Sequence, residues 1–186
     1  MTQALEQTQT IARPREDLLA VAISGSPRAP SKSKTLAERL LAELGALGCG
    51  TQLIDVGLLP AEALVVRAEA PEVNEAIEAV GRAQIVVASS PTYRALYTGV
   101  LKCFFDLMPL EHLAGKVCVG LQTGIAPQHA LSPEYGLRPL FASLGGTPLA
   151  AIYAMDSEFV EGEPVAALSG RLQAVARAVV DAARAG

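Results

Sequence analysis

Residues 21–35 of the chain read VAISGSPRAPSKSKT, a run in which apolar residues give way to glycine, hydroxyls and cations. Residues 18–23 have the length and composition of a buried β-strand. Gly25 ends that apolar segment, and leucines at helical spacing begin at Leu36. The order predicts a buried strand, a polar loop and the N-terminus of a helix, as at the start of a parallel α/β sheet.

The polar loop has the composition of a phosphate-binding site. The first turn of a helix exposes unpaired N–H groups and a partial positive charge, which attract anions. Arg28 adds a planar cation that suits phosphate oxygens. Hydroxyl donors are available from Ser26, Ser31, Ser33 and Thr35. An ordinary strand-to-helix turn with Ser33 as the N-cap would use the same residues, so the loop by itself leaves both interpretations open.

Composition favours a globular α/β protein. The 186 residues are 51% hydrophobic but only 4% aromatic, with no tryptophan, so Val, Leu, Ile and Ala must build the core. That core suits helices packed on a buried parallel sheet. A net charge of −4 argues against nucleic-acid binding, and no apolar run reaches membrane-spanning length. We expect residues 1–16 to be a flexible leader and residues 17–186 to form one domain.

Cysteine and histidine positions give no sign of a metal site or a disulfide framework. Cys49, Cys103 and Cys118 have neither CxxC nor zinc-type spacing, and His112 and His129 are not spaced as metal ligands. An odd number of scattered cysteines is typical of reduced thiols in a cytosolic protein. The polar N-terminus resembles neither a secretory nor a transit signal. We therefore expect a cytoplasmic protein without a metal centre.

Strand and helix patterns alternate along the chain. Strands are predicted over 18–24, 50–56, 84–89, 116–121 and 148–154, and helices over 34–47, 72–82, 99–107, 133–143 and 165–183. This alternation specifies a parallel sheet with right-handed crossovers. Five strands at this length predict a three-layer flavodoxin-like sandwich of strand order 2-1-3-4-5, whose ligands bind beyond the carboxyl ends of the strands.

Polar loops follow the first, third and fourth predicted strands, and the predicted order places these loops side by side. Residues 90–97, SPTYRALY, bring aromatic rings, and Gln122, Thr123 and Gly124 bring backbone amides. The P-loop pattern GxxxxGK[ST] and the dinucleotide pattern GxGxxG are both missing, and no nucleophile–base pair stands out. A phosphate cradle with an aromatic ring suits flavin mononucleotide (FMN), which itself supplies the reactive chemistry. Late acidic residues, among them Asp156, are expected in a solvated loop.

Three motifs resemble those of the NAD(P)H-dependent FMN reductase family. They are GSPRxxSxS over 25–33, PxYRxxxxGxLK over 91–102, and HxLxxxYxLRP over 129–139. The resemblance runs over residues 21–155. Within the family, the chain most resembles the branch that supplies reduced flavin to alkanesulfonate-type monooxygenases.

The resemblance implies a set of FMN-binding residues. The FMN phosphate is expected at Ser26, Arg28, Ser31 and Ser33. The isoalloxazine is expected at Pro91, Thr92, Tyr93 and Arg94, with its pyrimidine edge near Thr123 and Gly124. No catalytic side chain is implied, because NADPH or NADH would deliver a hydride to N5 of FMN through positioning alone.

The resemblance also implies partners. Reductases of this kind form homodimers or homotetramers, and the branch includes a monooxygenase that receives the reduced flavin. In that branch, a tyrosine matched by Tyr135 accompanies a local helix widening at the oligomer interface, a feature associated with flavin exchange. A second interface candidate is the apolar ridge of the helix after the third strand, formed by Val100, Leu101, Phe104, Phe105 and Leu107.

Two other functions stay open at this point. One is a reductase that holds FMN tightly and acts on quinones, azo dyes or metal oxyanions. The other is a flavodoxin-type electron carrier that binds FMN without oxidising NAD(P)H. The carrier is disfavoured because the chain lacks tryptophan and has only modest net acidity.

Overall fold

The central element is a five-stranded parallel sheet of strand order 2-1-3-4-5. The structure is a computed structural model that describes residues 18–186, so the leader expected over 1–16 lies outside the described residues. The strands are β1 (Leu19–Ser24), β2 (Gly50–Asp55), β3 (Ile85–Pro91), β4 (Val117–Gly124) and β5 (Thr147–Met155). This topology confirms the predicted flavodoxin-like fold.

Helices cover both faces of the sheet. They are α1 (Lys32–Ala46), α2 (Ala61–Leu64), α3 (Pro71–Arg82), α4 (Gly99–Asp106), α5 (Arg138–Ser143) and α6 (Ala166–Ala185). Apolar residues of α1 and α6 share one buried cluster with the sheet, and those of α2 to α5 share another cluster on the opposite face. Among residues 18–186, no helix is both long enough and apolar enough to cross a membrane.

The strand β3 is buried on both faces, as its continuous apolar sequence predicts. Residues 85–88 have no exposed surface. Val86 and Ala88 belong to the cluster with α3 and α4, whereas Ile85 and Val87 belong to the cluster with α1 and α6. A strand that is apolar on both faces is suited to the middle of the sheet, which is the position of β3.

Strands β3 and β4 run further than their apolar segments predict. Their pairing continues through Ser90 with Gln122 and Pro91 with Thr123, so these polar residues belong to the strands. Backbone hydrogen bonds of a parallel ladder do not depend on side-chain polarity. The residues expected in loops after these strands therefore begin at the sheet edge itself.

The chain after β4 also differs from expectation. The helix predicted over 133–143 consists of a π-helical turn, Pro133–Leu137, followed by α5. The late acidic segment includes a short antiparallel hairpin of β6 (Phe159–Val160) and β7 (Glu163–Pro164), which the sequence patterns did not predict. Tyr135, for which the family resemblance implies a local widening of the helix, lies within this π-helical turn, Pro133–Leu137.

The apolar ridge of α4 is mostly core. Leu101, Phe104 and Phe105 are 0%, 0% and 2% exposed, so the interpretation of these three residues as an interface was wrong. The ring of Phe105 packs edge-on against Phe141 of α5 at 6.0 Å between centroids. Only Val100 and Leu107 of the ridge are partly exposed.

Gly25 joins β1 to the polar loop under tight steric constraint. Its N–H donates to the Ser89 carbonyl at 2.7 Å, and its own carbonyl accepts from the Thr98 hydroxyl at 2.6 Å. A Cβ added here would lie 2.6 Å from Cβ of Leu101. The residue is therefore fixed between β3 and the start of α4, with no room for a side chain.

We expect Gly25→Ala to lower the free energy of unfolding by about 1–3 kcal/mol, because the added methyl overpacks the contact with Leu101. Gly45→Ala is the matched control. Its added Cβ would meet its nearest neighbour, Thr51 Cγ2, at 3.8 Å, and alanine is the better helix former by about 0.5–1 kcal/mol. Urea unfolding midpoints should move in opposite directions. A shift of the same sign in both variants would contradict this explanation.

Candidate functional site

A cavity of about 380 Å³ opens at the carboxyl edge of the sheet. The loops after β1, β3 and β4 meet there, as the predicted strand order required. Residues singled out from the sequence that line its wall are Ser26, Arg28, Ser31, Pro91, Tyr93 and Thr123. Ser33, Thr92, Arg94 and Gly124 lie in the same segments but not on the wall. The structure therefore brings together part of the predicted set as one surface.

The N-terminus of α1 forms one end of the cavity. Ser31 is the N-cap, and its hydroxyl accepts from the Lys34 N–H at 3.3 Å, so Ser33 is not the cap. Ser33 is 1% exposed and its hydroxyl lies 3.0 Å from Ser31 Oγ. The Ser33 carbonyl accepts from the Ser89 hydroxyl at 2.7 Å. Ser31 therefore lines the cavity wall, and the buried Ser33 contacts the Ser31 hydroxyl without reaching the wall itself.

Ser26 shapes the loop between β1 and α1. Its hydroxyl donates to the Arg28 carbonyl at 2.9 Å and accepts from the Arg28 N–H at 3.3 Å, which closes a local turn. Ser26 is buried, whereas Arg28 is exposed at the rim of the cavity. The turn thus holds the backbone of the loop and leaves the Arg28 side chain free to reach a ligand.

Three cations of the α1 end differ in their partners. Lys34 Nζ lies 2.8 Å from Asp55 Oδ2, and this hydrogen bond raises the pKa of Lys34. Lys32 Nζ lies 2.9 Å from Asp156 Oδ2. The Arg28 guanidinium has no hydrogen-bond or ion-pair partner within residues 18–186. Of these three cations, Arg28 is therefore the one whose charge has no compensating partner in the described part of the chain.

Several wall residues were not predicted from the sequence as site residues. These are Pro30, Lys32, Asp156 and Gly162; Thr35, a hydroxyl donor of the predicted phosphate loop, also lines the wall. Asp156 directly follows β5, whose carboxyl end lies at the same sheet edge, so the predicted topology contained a signal for it. Gly162 belongs to the turn of the β6–β7 hairpin, which had no such signal.

The Tyr93 ring is presented by a tight turn. The Tyr93 N–H donates to the Leu96 carbonyl at 2.8 Å, and the Leu96 N–H donates back at 3.2 Å. Between them, Arg94 and Ala95 have positive φ values of 51° and 72°, as in a type I′ turn. Left-handed conformations of non-glycine residues cost about 1–3 kcal/mol each and concentrate at functional sites. This turn holds Tyr93 beside the cavity with 43% of its surface exposed.

The end of β4 contributes Thr123 to the wall, next to Pro91 of β3. Thr123 is 3% exposed, and its carbonyl accepts from the Thr92 N–H at 2.7 Å. At Gly124, an added Cβ would overlap the Tyr153 hydroxyl. That hydroxyl donates to the Ala126 carbonyl at 2.9 Å. Thr92 and Gly124 therefore fix the backbone next to the wall residues Tyr93 and Thr123.

Comparison with known proteins identifies the family. A family model described as NADPH-dependent FMN reductase matches residues 18–161. The NADH-dependent FMN reductase SfnF of Pseudomonas fluorescens (strain Pf0-1) is 35% identical over 77% of this chain and 80% of its own length. The FMN reductase (NADPH) of Escherichia coli (strain K12) is 31% identical over 76% of this chain and 75% of its own length.

A solved structure gives the same result. The apo form of NADH:FMN oxidoreductase (EMOB) is 32% identical, with a TM-score of 0.82 over 88% of each chain. The family match spans all five strands of the sheet and the loops around the cavity. It favours a reductase over an electron carrier. The chain therefore belongs to the NADPH-dependent FMN reductase family, and it catalyses the reduction of FMN by a nicotinamide nucleotide.

Proposed function

We propose that FMN binds in the cavity at the carboxyl edge of the sheet, with its phosphate at the N-terminus of α1. The observation that carries this proposal is the Arg28 guanidinium, which has no partner among residues 18–186, beside the Ser31-capped end of α1. A helix N-terminus, hydroxyl donors and a guanidinium together match the charge and the acceptors of a phosphate. The ring system then lies between the Tyr93 turn and Thr123.

The residues of the cavity fit such a ligand. The wall combines aromatic and apolar residues, Tyr93 and Pro91, with charged and hydroxyl groups, among them Arg28 and Ser31. An amphiphilic ligand with a phosphate at one end suits this arrangement.

In this proposal the protein acts by positioning. Bound FMN supplies the chemistry, because it accepts a hydride from the nicotinamide nucleotide. Arg28 and the α1 N–H groups neutralise the phosphate charge, and Tyr93 and Pro91 hold an apolar wall that excludes water from the ring. Ser33, Thr92, Arg94 and Gly124 support these contacts through the backbone of the loops. No side chain of the cavity is required to transfer a proton to the reacting atom.

Replacing the Arg28 guanidinium tests the phosphate site. We expect Arg28→Ala to raise the Kd for FMN about tenfold or more, because a charged hydrogen bond contributes roughly 1.5–3 kcal/mol. Quenching of FMN fluorescence on binding measures the Kd. Arg82→Ala is the matched control, since Arg82 is an exposed arginine of α3 whose guanidinium lies 3.9 Å from the Glu78 carboxylate. An unchanged Kd in folded Arg28→Ala would refute the assignment.

We further propose that FMN is an exchangeable substrate and that the reduced flavin leaves for a monooxygenase in the cytoplasm. Residues at the cavity rim, Arg28 and Tyr93, are exposed, so the ligand has a path to solvent. The motif over 129–139 resembles that of the flavin-supplying branch, and its Tyr135 lies in the π-helical turn. Buried free thiols at Cys49 and Cys118 suit a reducing compartment.

Flavin retention separates this proposal from a reductase with tightly held FMN. After purification and dialysis against flavin-free buffer, we expect protein without visible flavin absorbance. NAD(P)H oxidation should then depend on added FMN, because the cavity releases its ligand. A protein that stays yellow through dialysis and oxidises NAD(P)H without added FMN, using a quinone as acceptor, would support the tight-binding alternative.

We propose that the chain forms a homodimer or homotetramer through a surface beside the π-helical turn. Leu96, Leu131 and Tyr135 are 39%, 58% and 75% exposed, and we call these three residues the Tyr135 patch. Leu96 contacts the turn directly, since a Cβ on Gly136 would lie 2.9 Å from Leu96 Cδ1. Adjacent exposed apolar residues of this size mark interaction surfaces in soluble proteins.

A charge within the patch tests the interface. We expect Tyr135→Glu to shift the protein to smaller species in sedimentation velocity at micromolar concentration, because a buried carboxylate would lack a partner. Leu58→Glu is the control, since Leu58 is 81% exposed outside the Tyr135 patch. If Leu58→Glu dissociates the oligomer and Tyr135→Glu does not, the interface lies elsewhere.

A further inference from the structure

Gln122 is a buried polar residue next to the cavity that the proposed binding site does not use. It lies on β4 directly before the wall residue Thr123 and has no exposed surface. Successive side chains of a strand point to opposite faces, so Gln122 and Thr123 point to opposite sides of the sheet. Its side chain cannot line the same wall as Thr123, and its hydrogen bonds must explain why a polar group is buried there.

The Gln122 amide joins three segments of the chain. Which of the two amide positions is the oxygen and which is the nitrogen is assigned from the hydrogen-bond donors and acceptors around them. The amide oxygen accepts from the Tyr97 N–H at 3.2 Å and from the Thr92 hydroxyl at 3.3 Å. The amide nitrogen donates to the Ser132 carbonyl at 3.1 Å. One side chain therefore holds both ends of the Tyr93 turn and the residue that precedes the π-helical turn.

A second contact between these segments is apolar. Leu96 and Tyr97 pack on Gly136, where an added Cβ would lie 2.9 Å from Leu96 Cδ1 and 3.1 Å from Tyr97 Cδ1. Apolar contacts have little directionality and permit sliding, whereas hydrogen bonds require one alignment of donor and acceptor. The Gln122 amide is therefore the contact that fixes the position of the Tyr93 turn relative to residues 131–138.

We infer that Gln122 is a positioning residue that holds the Tyr93 turn at the cavity and couples it to the π-helical turn, so that FMN binding orders both segments. This inference rests on the proposed FMN site. A ligand that fixes Tyr93 reduces the motion of residues 92–97. The amide then passes this restraint to Ser132, although residues 131–138 do not line the cavity.

The test compares substitutions of two glutamines, the buried Gln122 and the half-buried Gln84. Gln122→Met keeps the length of the side chain but removes the amide. Gln84→Met is the matched control, because the Gln84 amide accepts from the Leu19 N–H at 2.9 Å and donates to the Arg82 carbonyl at 2.9 Å, at the other edge of the sheet. We expect Gln122→Met to raise the Kd for FMN by about five- to tenfold, because the hydrogen bonds of the amide are lost. Gln84→Met should leave this Kd unchanged.

Hydrogen exchange distinguishes positioning from a general loss of stability. At saturating FMN, we expect slower exchange over 26–36, 91–98 and 131–138 in the wild type and in Gln84→Met. In Gln122→Met, the protection over 131–138 should fall by about half or more while that over 26–36 remains. Thr92→Val removes one of the hydrogen bonds to the amide and should reduce the same protection less, which keeps the test available if Gln122→Met does not fold.

Three results would overturn the inference. They are full protection over 131–138 in Gln122→Met, no FMN-dependent protection of that segment in the wild type, or the same loss in Gln84→Met. If FMN slows exchange neither over 26–36 nor over 91–98 in the wild type, the proposed binding site itself is wrong. The failure of the coupling and the failure of the site are thus separate observations.

Discussion

Pairing of β3 with both of its neighbours is the constraint on which the rest of the molecule depends. Ser89 pairs with Ser24 of β1, and Pro91 pairs with Thr123 of β4, so one strand sets where the other two end. β1 ends opposite Ser89, two residues before the end of β3, so the polar residues after β1 and β4 reach the same edge of the sheet within a few residues of each other. Parallel strands cannot be joined by tight turns, and helices must return the chain to the opposite edge. The cavity is the direct result of this geometry.

Electrostatics then makes the two ends of the cavity different. Lys32 and Lys34 each have a carboxylate partner, Asp156 and Asp55, so their charges are largely compensated within the protein. Ion pairs between exposed groups add little stability, but they do fix side chains in place. Arg28 differs because its charge has no partner within residues 18–186. The Arg28 guanidinium, which has no partner among the described residues, lies near the N-terminus of α1 and adds to the positive potential there.

Sequence patterns predicted the strand order because each strand has a distinct apolar segment and each is followed by a helix. They did not predict how far β3 and β4 extend, since the ladder continues through Ser90 and Gln122 regardless of polarity. The type I′ turn was also not predictable, because its central residues, Arg94 and Ala95, are neither Asn nor Gly. The α4 ridge was misread because burial of Phe105 depends on α5, a contact remote in sequence.

The turn that carries Tyr93 restricts the positions that the Tyr93 ring can adopt at the cavity wall. Its two left-handed residues have side chains, so the turn has fewer conformations available than a glycine turn would have. A stiff turn holds the half-exposed Tyr93 ring in one position at the cavity wall. Arg94 and Ala95 do not line the wall, so substitutions at these two positions would change how rigidly the Tyr93 ring is held without replacing any residue of the wall.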